Sequence, residues 1–159
     1  MSLSSQIPLK FDGRGNRQYF PGETLAASYF LEDFCDETID AVEVSVLWHT
    51  EGKGTEDLGI CAFWRRSVRD GDWIDPRLPG RFSVTLPKSP LSYDGELVKI
   101  FWAVRVRVFF SDGRQVMDEH PFRLGNIANI RTFRALHSQE EPPETPVKSD
   151  STPKPEALL

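Results

Sequence analysis

Five arginines and a tryptophan lie in or beside the longest irregular segment of this 159-residue chain, RRSVRDGDWIDPRLPG at residues 65–80. Arginine donates charge-assisted, often bidentate hydrogen bonds to carboxylates and phosphates, and an exposed tryptophan is a common anchor of protein interfaces. We therefore predict that this segment binds an acidic or phosphorylated stretch of a partner protein. The predicted binding residues are Arg65, Arg66, Arg69, Trp73, Arg77 and Arg81. The alternative is a solvated loop whose tryptophan folds back on a sheet edge.

The same segment carries three aspartates, Asp70, Asp72 and Asp75, at a spacing loosely like that of a calcium-binding loop. Such a loop also uses a closing glutamate as a bidentate ligand, and no glutamate closes this one. The histidines of the chain are scattered, without a neighbour at the spacing of metal ligands. We expect no metal and no other cofactor.

Signals of catalysis are weak throughout the chain. There is no GxSxG turn, and the sequence GKG at residues 52–54 lacks the spacing and the following Ser or Thr of a phosphate-binding loop. A hydrolytic site assembled from distant residues would need His49, His120 or His137 beside a carboxylate in one pocket. We predict that the chain is not an enzyme.

Cys35 and Cys61 are the only cysteines. Cys35 lies 13 residues before Trp48, which is similar to the spacing of the first cysteine and the core tryptophan of an immunoglobulin domain. The partner cysteine of such a domain would lie near residue 100, where this chain has none. Neither cysteine belongs to a CxxC pair, so we expect two reduced thiols.

Composition narrows the classes of partner. The formal net charge of −5 argues against nonspecific binding to nucleic acid or to anionic lipid, because both depend on an excess of Lys and Arg. No apolar run reaches the length of a membrane-spanning helix, and the first ten residues lack the pattern of a secretory signal. The length suits one domain with one core. We expect a cytoplasmic, single-domain protein.

Strands must position the binding segment, since apolar residues recur with the period of two that is typical of a β-strand. The clearest case is residues 97–110, LVKIFWAVRVRVFF, and residues 39–49 repeat the pattern with Val42, Val44, Val46 and Trp48 on one face. These two strands are expected to share a core. The spacing predicts an all-β chain of about seven strands, near residues 6–11, 24–31, 39–49, 57–65, 81–86, 97–110 and 114–124.

An Asp-Gly pair at residues 112–113 predicts a hairpin closed by a two-residue turn. That register would place Arg107 opposite Asp118 and Arg105 opposite His120. It would also turn Glu119 toward the core, where a lone carboxylate is costly unless a bulge or a basic partner intervenes.

Composition changes near residue 138. Residues 138–159 contain five prolines, five acidic residues and two lysines, a mixture that cannot bury a core. We predict a sandwich domain at residues 1–137 and a disordered tail at residues 138–159. Within the former, residues 126–137 are read as a short helix or a last extended segment.

Four pieces of sequence, in this order, resemble the N-terminal domain of the arrestin family. They are YFPGETL at 19–25, IDAVEV at 39–44, FSVTLP with SPLSYDG at 82–95, and IFWAVRV at 100–106. The resemblance covers roughly residues 6–125. It implies an immunoglobulin-like, arrestin-like sandwich of two β-sheets. Within it, residues 21–22 would form a turn, and residues 87–95 would cross between the sheets.

The resemblance also bears on function. Arrestins carry a second sandwich that is not found in these 159 residues, and the phosphate-sensing residues of receptor arrestins have no counterparts that can be placed here, so receptor binding does not transfer. We expect a noncatalytic adaptor or scaffold module that binds a protein and self-associates as a homodimer. The alternative is a sandwich that binds a small molecule or a carbohydrate by stacking on Trp64, Trp73 or Tyr93, and an enzyme is the remaining alternative.

Overall fold

Alternating apolar residues build nine strands within residues 6–125, which are the residues that this computed structural model describes. The strands are β1 (Leu9–Phe11), β2 (Gln18–Tyr19), β3 (Thr24–Tyr29), β4 (Ile39–Gly52), β5 (Leu58–Ser67), β6 (Gly80–Thr85), β7 (Tyr93–Asp94), β8 (Val98–Phe110) and β9 (Gln115–Leu124). The prediction of an all-β chain is confirmed. The segment 126–137 and the tail 138–159 lie outside the described residues, so the predictions made for them stay predictions.

The strands form two sheets that pack face to face. The small sheet has the order β1–β3–β6, and the large sheet has the order β2–β9–β8–β4–β5 with β7 also paired to β8. Within the described residues, β5 and β6 are terminal strands of their sheets, and they lie on the same side of the sandwich because Trp64 of β5 contacts Phe82 of β6 at 5.2 Å between ring centroids. The predicted two-sheet sandwich is therefore present.

The two longest strands form the centre of the core. β4 pairs with β8 in antiparallel register, and the pairs Val42–Val108, Val44–Val106 and Val46–Val104 all point inward and are buried. Branched side chains pack well on such a pleated surface. The prediction that these strands share the core is confirmed.

The hairpin between β8 and β9 differs from the prediction by one residue. Phe109 pairs with Gln115, and the turn contains three residues rather than two, with Gly113 at φ +89°. A three-residue turn of this kind needs a left-handed residue at its third position, which glycine supplies without strain. Arg105 therefore lies opposite Glu119, not His120, and their side chains approach to 2.6 Å.

A shift of one residue turns every side chain of β9 to the other face. Glu119 lies on the outer face, so the predicted burial of its carboxylate is wrong. Asp118 and His120 point inward instead, and both hold the backbone of Ile7. The Asp118 carboxylate accepts a hydrogen bond from the Ile7 amide at 2.6 Å, and His120 Nε2 donates to the Ile7 carbonyl at 2.9 Å.

The crossover from β6 to β8 is fixed to the large sheet by polar contacts. The Trp102 indole donates to the Pro90 carbonyl at 2.8 Å, while Ser92 exchanges two hydrogen bonds of 2.8 Å with Leu124. The turn at residues 20–23 is closed by the Glu23 amide bonding the Phe20 carbonyl, with Gly22 at φ +83°. Both structural roles implied by the family resemblance are therefore found.

Candidate functional site

Arg65 belongs to β5 and lies on the outer face of the large sheet, not on a loop. Its guanidinium pairs with Glu43 across the strand, and Arg107 approaches the same carboxylate from the other side. Both arginines also lie over the Phe109 ring, at 5.6 and 5.8 Å from its centroid. Arg65 is thus held in a network within the sheet.

Arg66 follows on β5 and points to the other face of the strand. It lines a cleft of about 130 Å³ with Tyr29, Trp73 and Leu78. Burial raises the pKa of the Tyr29 hydroxyl, and the nearby positive charge of Arg66 partly offsets that rise. Among residues 6–125, Arg66 has no carboxylate within ion-pair distance.

Arg69 and Arg77 lie in the connection between β5 and β6. Arg69 is 3.6 Å from Asp40, and its side chain is 85% exposed. Arg77 contacts Asp75, two residues earlier, at 3.0 Å, and these hydrogen bonds hold the pKa of the Asp75 carboxyl below its usual value. The single contact of Arg69 is of the exposed kind that contributes little to stability, so this guanidinium can exchange partners. Arg77 is held more firmly, through two side-chain hydrogen bonds to an Asp75 that is only 14% exposed.

Trp73 is the most exposed large apolar side chain of the described residues, at 78%. It borders both the cleft that contains Arg66 and a second cleft of about 310 Å³ that contains Arg77. Arg81 is exposed on β6, opposite Ser28 of β3. Its neighbours Gly80 and Phe82 are buried, so Arg81 points away from the core.

The connection begins and ends at well-anchored residues. The Ser67 amide donates to the Asp72 carboxylate at 2.9 Å, which closes the first turn after β5. At the other end, Gly80 lies under the Tyr29 ring, so a Cβ there would come within 2.0 Å of Tyr29 Cζ. Any larger residue here would therefore force the Tyr29 ring to move.

Five of the six predicted residues line a row of clefts rather than one pocket, while Arg81 lines none of these clefts and points outward from β6. Arg65 and Arg69 share one cleft, Arg66 and Trp73 share another, and Trp73 and Arg77 share a third. The row follows the side of the sandwich where β5 and β6 end the two sheets. We name residues 65–81 the arginine margin. Its role in binding stays a prediction.

The three aspartates of the segment do not converge. Asp72 and Asp75 accept hydrogen bonds within the connection, from Ser67 and from Arg77 respectively. Among residues 6–125, no three side chains of His, Cys, Asp or Glu come together in the way that metal ligands do.

The two described histidines occupy opposite faces of the large sheet. His49 is on the outer face, stacked on Phe101 at 5.5 Å and 3.3 Å from Glu51. His120 is buried on the inner face, bonded to Ile7. They cannot act on one substrate together. His137 lies outside the described residues.

Sequence reasoning missed an apolar patch on the outer face of the large sheet. Leu47 is fully buried there although it faces away from the core, and it pairs with the buried Ala103 on one side and the exposed Ile60 on the other. The exposed members of this patch are Leu58, Ile60, Phe63 and Phe101. The signal was present, because Leu47 interrupts the otherwise polar face of β4 formed by Glu43, Ser45 and His49.

A shallow groove of about 430 Å³ lies at the other end of the large sheet. Tyr93 and Phe101 supply aromatic surface, and Arg17, Lys99 and Arg123 supply positive charge. Of the aromatic residues expected to stack on a small ligand, Tyr93 borders this groove. Trp64, by contrast, is half-buried against Phe82.

Cys35 and Cys61 are both exposed free thiols. Cys61 lies in β5, at a β-bulge where the pairing of β5 with β4 shifts register. Partial desolvation by its neighbours raises the pKa of the Cys61 thiol. Within residues 6–125, the fold has no helix of the length and apolarity that crossing a bilayer requires.

No model of a known protein family matches the sequence, and no curated protein matches it. Among solved structures, the crystal structure of Spo0M, a sporulation control protein from Bacillus subtilis, is similar, with a TM-score of 0.53 and 14% sequence identity. The similarity covers 84% of this chain and 55% of that chain, so this chain spans about half the length of Spo0M. At such low identity the likeness is one of fold. The comparison therefore supports the two-sheet fold that the resemblance to arrestins implies, and it does not show membership of a sequence family.

Proposed function

We propose that this chain is a noncatalytic protein-interaction module of the adaptor or scaffold type, with the arginine margin as its binding surface. The partner segment is acidic or phosphorylated, because carboxylates and phosphates are the groups that arginines bind best. Two exposed free cysteines are in keeping with a reducing compartment, and we propose the cytoplasm.

The observation that carries this proposal is the concentration of exposed apolar side chains beside the arginines. Six of the large apolar side chains that are exposed within residues 6–125 fall in one stretch of 21 residues, from 58 to 78. They are Leu58, Ile60, Phe63, Val68, Trp73 and Leu78. Exposed apolar surface rimmed by charge is typical of an interface, and Trp and Arg are the residues most enriched at its energetic centre.

The geometry of the two histidines within residues 6–125 disfavours a catalytic site that uses both of them. Acid–base or nucleophilic catalysis needs a base within hydrogen-bond reach of a nucleophile, and His120 is committed to a backbone carbonyl. His49 faces the opposite side of the sheet.

Charge reversal in the margin tests the proposal. We expect the full chain to recover a specific protein from native lysate, and we expect the R69E/R81E variant to lose it, because two exposed guanidiniums become carboxylates facing an acidic segment. Identification of the captured proteins by mass spectrometry, with and without phosphatase treatment of the lysate, reads out both the partner and its chemistry.

The matched control is K88E/R123E, which makes the same change in net charge elsewhere on the surface. It should recover the partner as the wild type does. Equal recovery by R69E/R81E, or loss of the partner in both variants, contradicts a specific role for the arginine margin.

A further inference from the structure

β5 has an open edge. Nine of its ten residues pair with β4 along one side, with Cys61 as the bulged residue, and within residues 6–125 no strand pairs with the other side. At the end of the strand, the Ser67 N–H and C=O bond Asp72. The N–H and C=O groups along a free edge are ready to pair with another strand, so proteins usually protect long edges with Pro, Lys, charge or a bulge. The sequence of β5, LGICAFWRRS, contains no Pro and no Lys, and its first seven residues carry no charge. The bulge at Cys61 is the one such device in this stretch.

The side chains of this edge are apolar on the outer face. Leu58, Ile60 and Phe63 are each more than half exposed, and they continue the apolar patch of Leu47 and Phe101 to the border of the sheet. A strand that paired with β5 and carried apolar side chains on the same face would extend this patch and cover its border.

The two ends of the strand carry opposite charges. Asp57 precedes β5 and lies on the inner face, because it pairs with Thr50 one residue before the start of the strand. Arg66 lies near the other end and also on the inner face, opposite Val42. Neither Asp57 nor Arg66 has an ion-pair partner among the described residues.

We propose that the open edge of β5 pairs antiparallel with β5 of a second copy of this chain, about a two-fold axis between Cys61 and Ala62. This pairing is the way in which the interaction module proposed above would self-associate, and it therefore rests on that proposal. In an antiparallel pair, residues directly opposite each other lie on the same face. The bulge at Cys61 shifts the alternation of side chains by one residue, so that Ile60 and Phe63 share the outer face, and Asp57 and Arg66 share the inner face. A register that obeys the rule therefore sets Ile60 against Phe63 of the second copy and Asp57 against Arg66 of the second copy.

Charge complementarity is what identifies the occupant as a second copy. A two-fold axis repeats each contact, so one register yields two Asp57–Arg66 pairs and two Ile60–Phe63 pairs. The same register sets Leu58 against Arg65, whose aliphatic stem can cover it while Glu43 keeps the guanidinium. The two large sheets then become one continuous sheet, in the isologous arrangement that is commonest among homodimers.

A charge swap measured by sedimentation equilibrium tests the pairing. We expect the full chain to be a dimer, and we expect D57R and R66D each to weaken the dimer by about tenfold or more, since each change replaces two attractive pairs by two repulsive ones. The double variant D57R/R66D restores both pairs with their signs exchanged and should recover the affinity to within about threefold. K88D, a charge change away from β5, should leave the dimer unchanged.

Oxidative cross-linking gives an independent readout. In the proposed register, the two Cys61 residues lie next to the axis, with Cα atoms about 6 Å apart, which is within the range of a disulfide. The C35S variant, treated with diamide at mildly alkaline pH to ionise the thiol, should form a covalent dimer. The C35S/C61S variant should form none.

A wild-type chain that sediments as a monomer, single variants that dimerise as the wild type does, or a double variant that fails to recover the dimer each overturn the β5 pairing. Each of these results bears on the dimer, because the arginine margin is tested separately by R69E/R81E, which alters neither Asp57 nor Arg66. In the reverse case, R69E/R81E recovers the lysate partner as the wild type does while the charge swap behaves as expected. The β5 pairing then stands, and the binding role of the arginine margin fails.

Discussion

Replacement of Trp102 by alanine is expected to lower the free energy of unfolding by about 3–5 kcal/mol, the range for large aromatic side chains removed from a core. Trp102 is only 1% exposed, packs against Phe122 at 5.8 Å, and pairs with Trp48 of β4. Its indole also holds the crossover through the Pro90 carbonyl. The variant therefore loses core volume and a buried hydrogen bond together. Urea unfolding followed by circular dichroism measures the loss.

Two further variants separate these causes. W102F keeps most of the ring but leaves the Pro90 carbonyl without its donor, and it should cost about 1–3 kcal/mol. W73A removes an equally large side chain from a site that is 78% exposed, and it should change stability by no more than about 0.5 kcal/mol. Equal destabilisation by W102A and W73A would contradict the placement of the core.

Removal of His120 is the second change with a large expected effect. H120A leaves the Ile7 carbonyl without its donor and opens space at a residue that is itself buried. An unsatisfied buried carbonyl costs about 1–3 kcal/mol, and the lost packing adds to it. We expect a loss of about 2–4 kcal/mol in the free energy of unfolding, accompanied by faster amide exchange in β1, because Ile7 loses its bond to His120 and keeps its bond to Asp118.

His120 also makes stability depend on pH. Burial lowers the pKa of His120, which the hydrogen bond to Ile7 and the charge of Asp118 only partly offset. The unfolded chain therefore binds a proton near the ordinary histidine pKa of about 6.5, while the folded chain binds it only at lower pH. Between these two values the unfolded state holds more protons. Stability must therefore fall as pH drops below about 6.5, by at most about 1.4 kcal/mol per pH unit.

Unfolding measured at pH 7.5, 6.5 and 5.5 tests this dependence. The H120A variant should lose this part of the pH dependence, and the H49A variant should keep it because His120 is intact. If the pH dependence of H120A equals that of the wild type, His120 is not its source.

The central strands could be predicted from the sequence because their valines alternate without interruption. The large sheet buries Val42, Val44 and Val46, together with their partners on β8, on its inner face. The alternation of these valines therefore predicts both that the segment is a strand and which of its faces is buried. β2 and β7 were not predicted, since each has two residues and alternation cannot appear over so short a length.

The register of β9 could not be predicted because Asp-Gly suits both a two-residue and a three-residue turn. The difference of one residue exchanges the environments of Glu119 and Asp118. Nothing in the local sequence indicates that the Ile7 amide, 111 residues away, is the partner of the Asp118 carboxylate. Such a contact depends on the packing of the two sheets.

The arginines of the candidate site could be predicted from the residue types in the segment, but the faces and contacts of their side chains could not. Arg65 was expected at the boundary between a strand near residues 57–65 and the irregular segment, and it lies within β5, where Glu43 and the Phe109 ring hold it. Arg66, one residue later, points to the opposite face, as the period of two in a strand requires. Strand boundaries therefore decide which arginines of the margin are already engaged within the fold.

The most direct test of the central claim is amide hydrogen exchange of the full chain, alone and saturated with the partner that it recovers from lysate. An interaction through the arginine margin predicts that the partner slows exchange at residues 65–81, while β1 and β9 exchange as before. Protection confined to the groove beside Arg17 and Arg123, or no added protection anywhere, would contradict it.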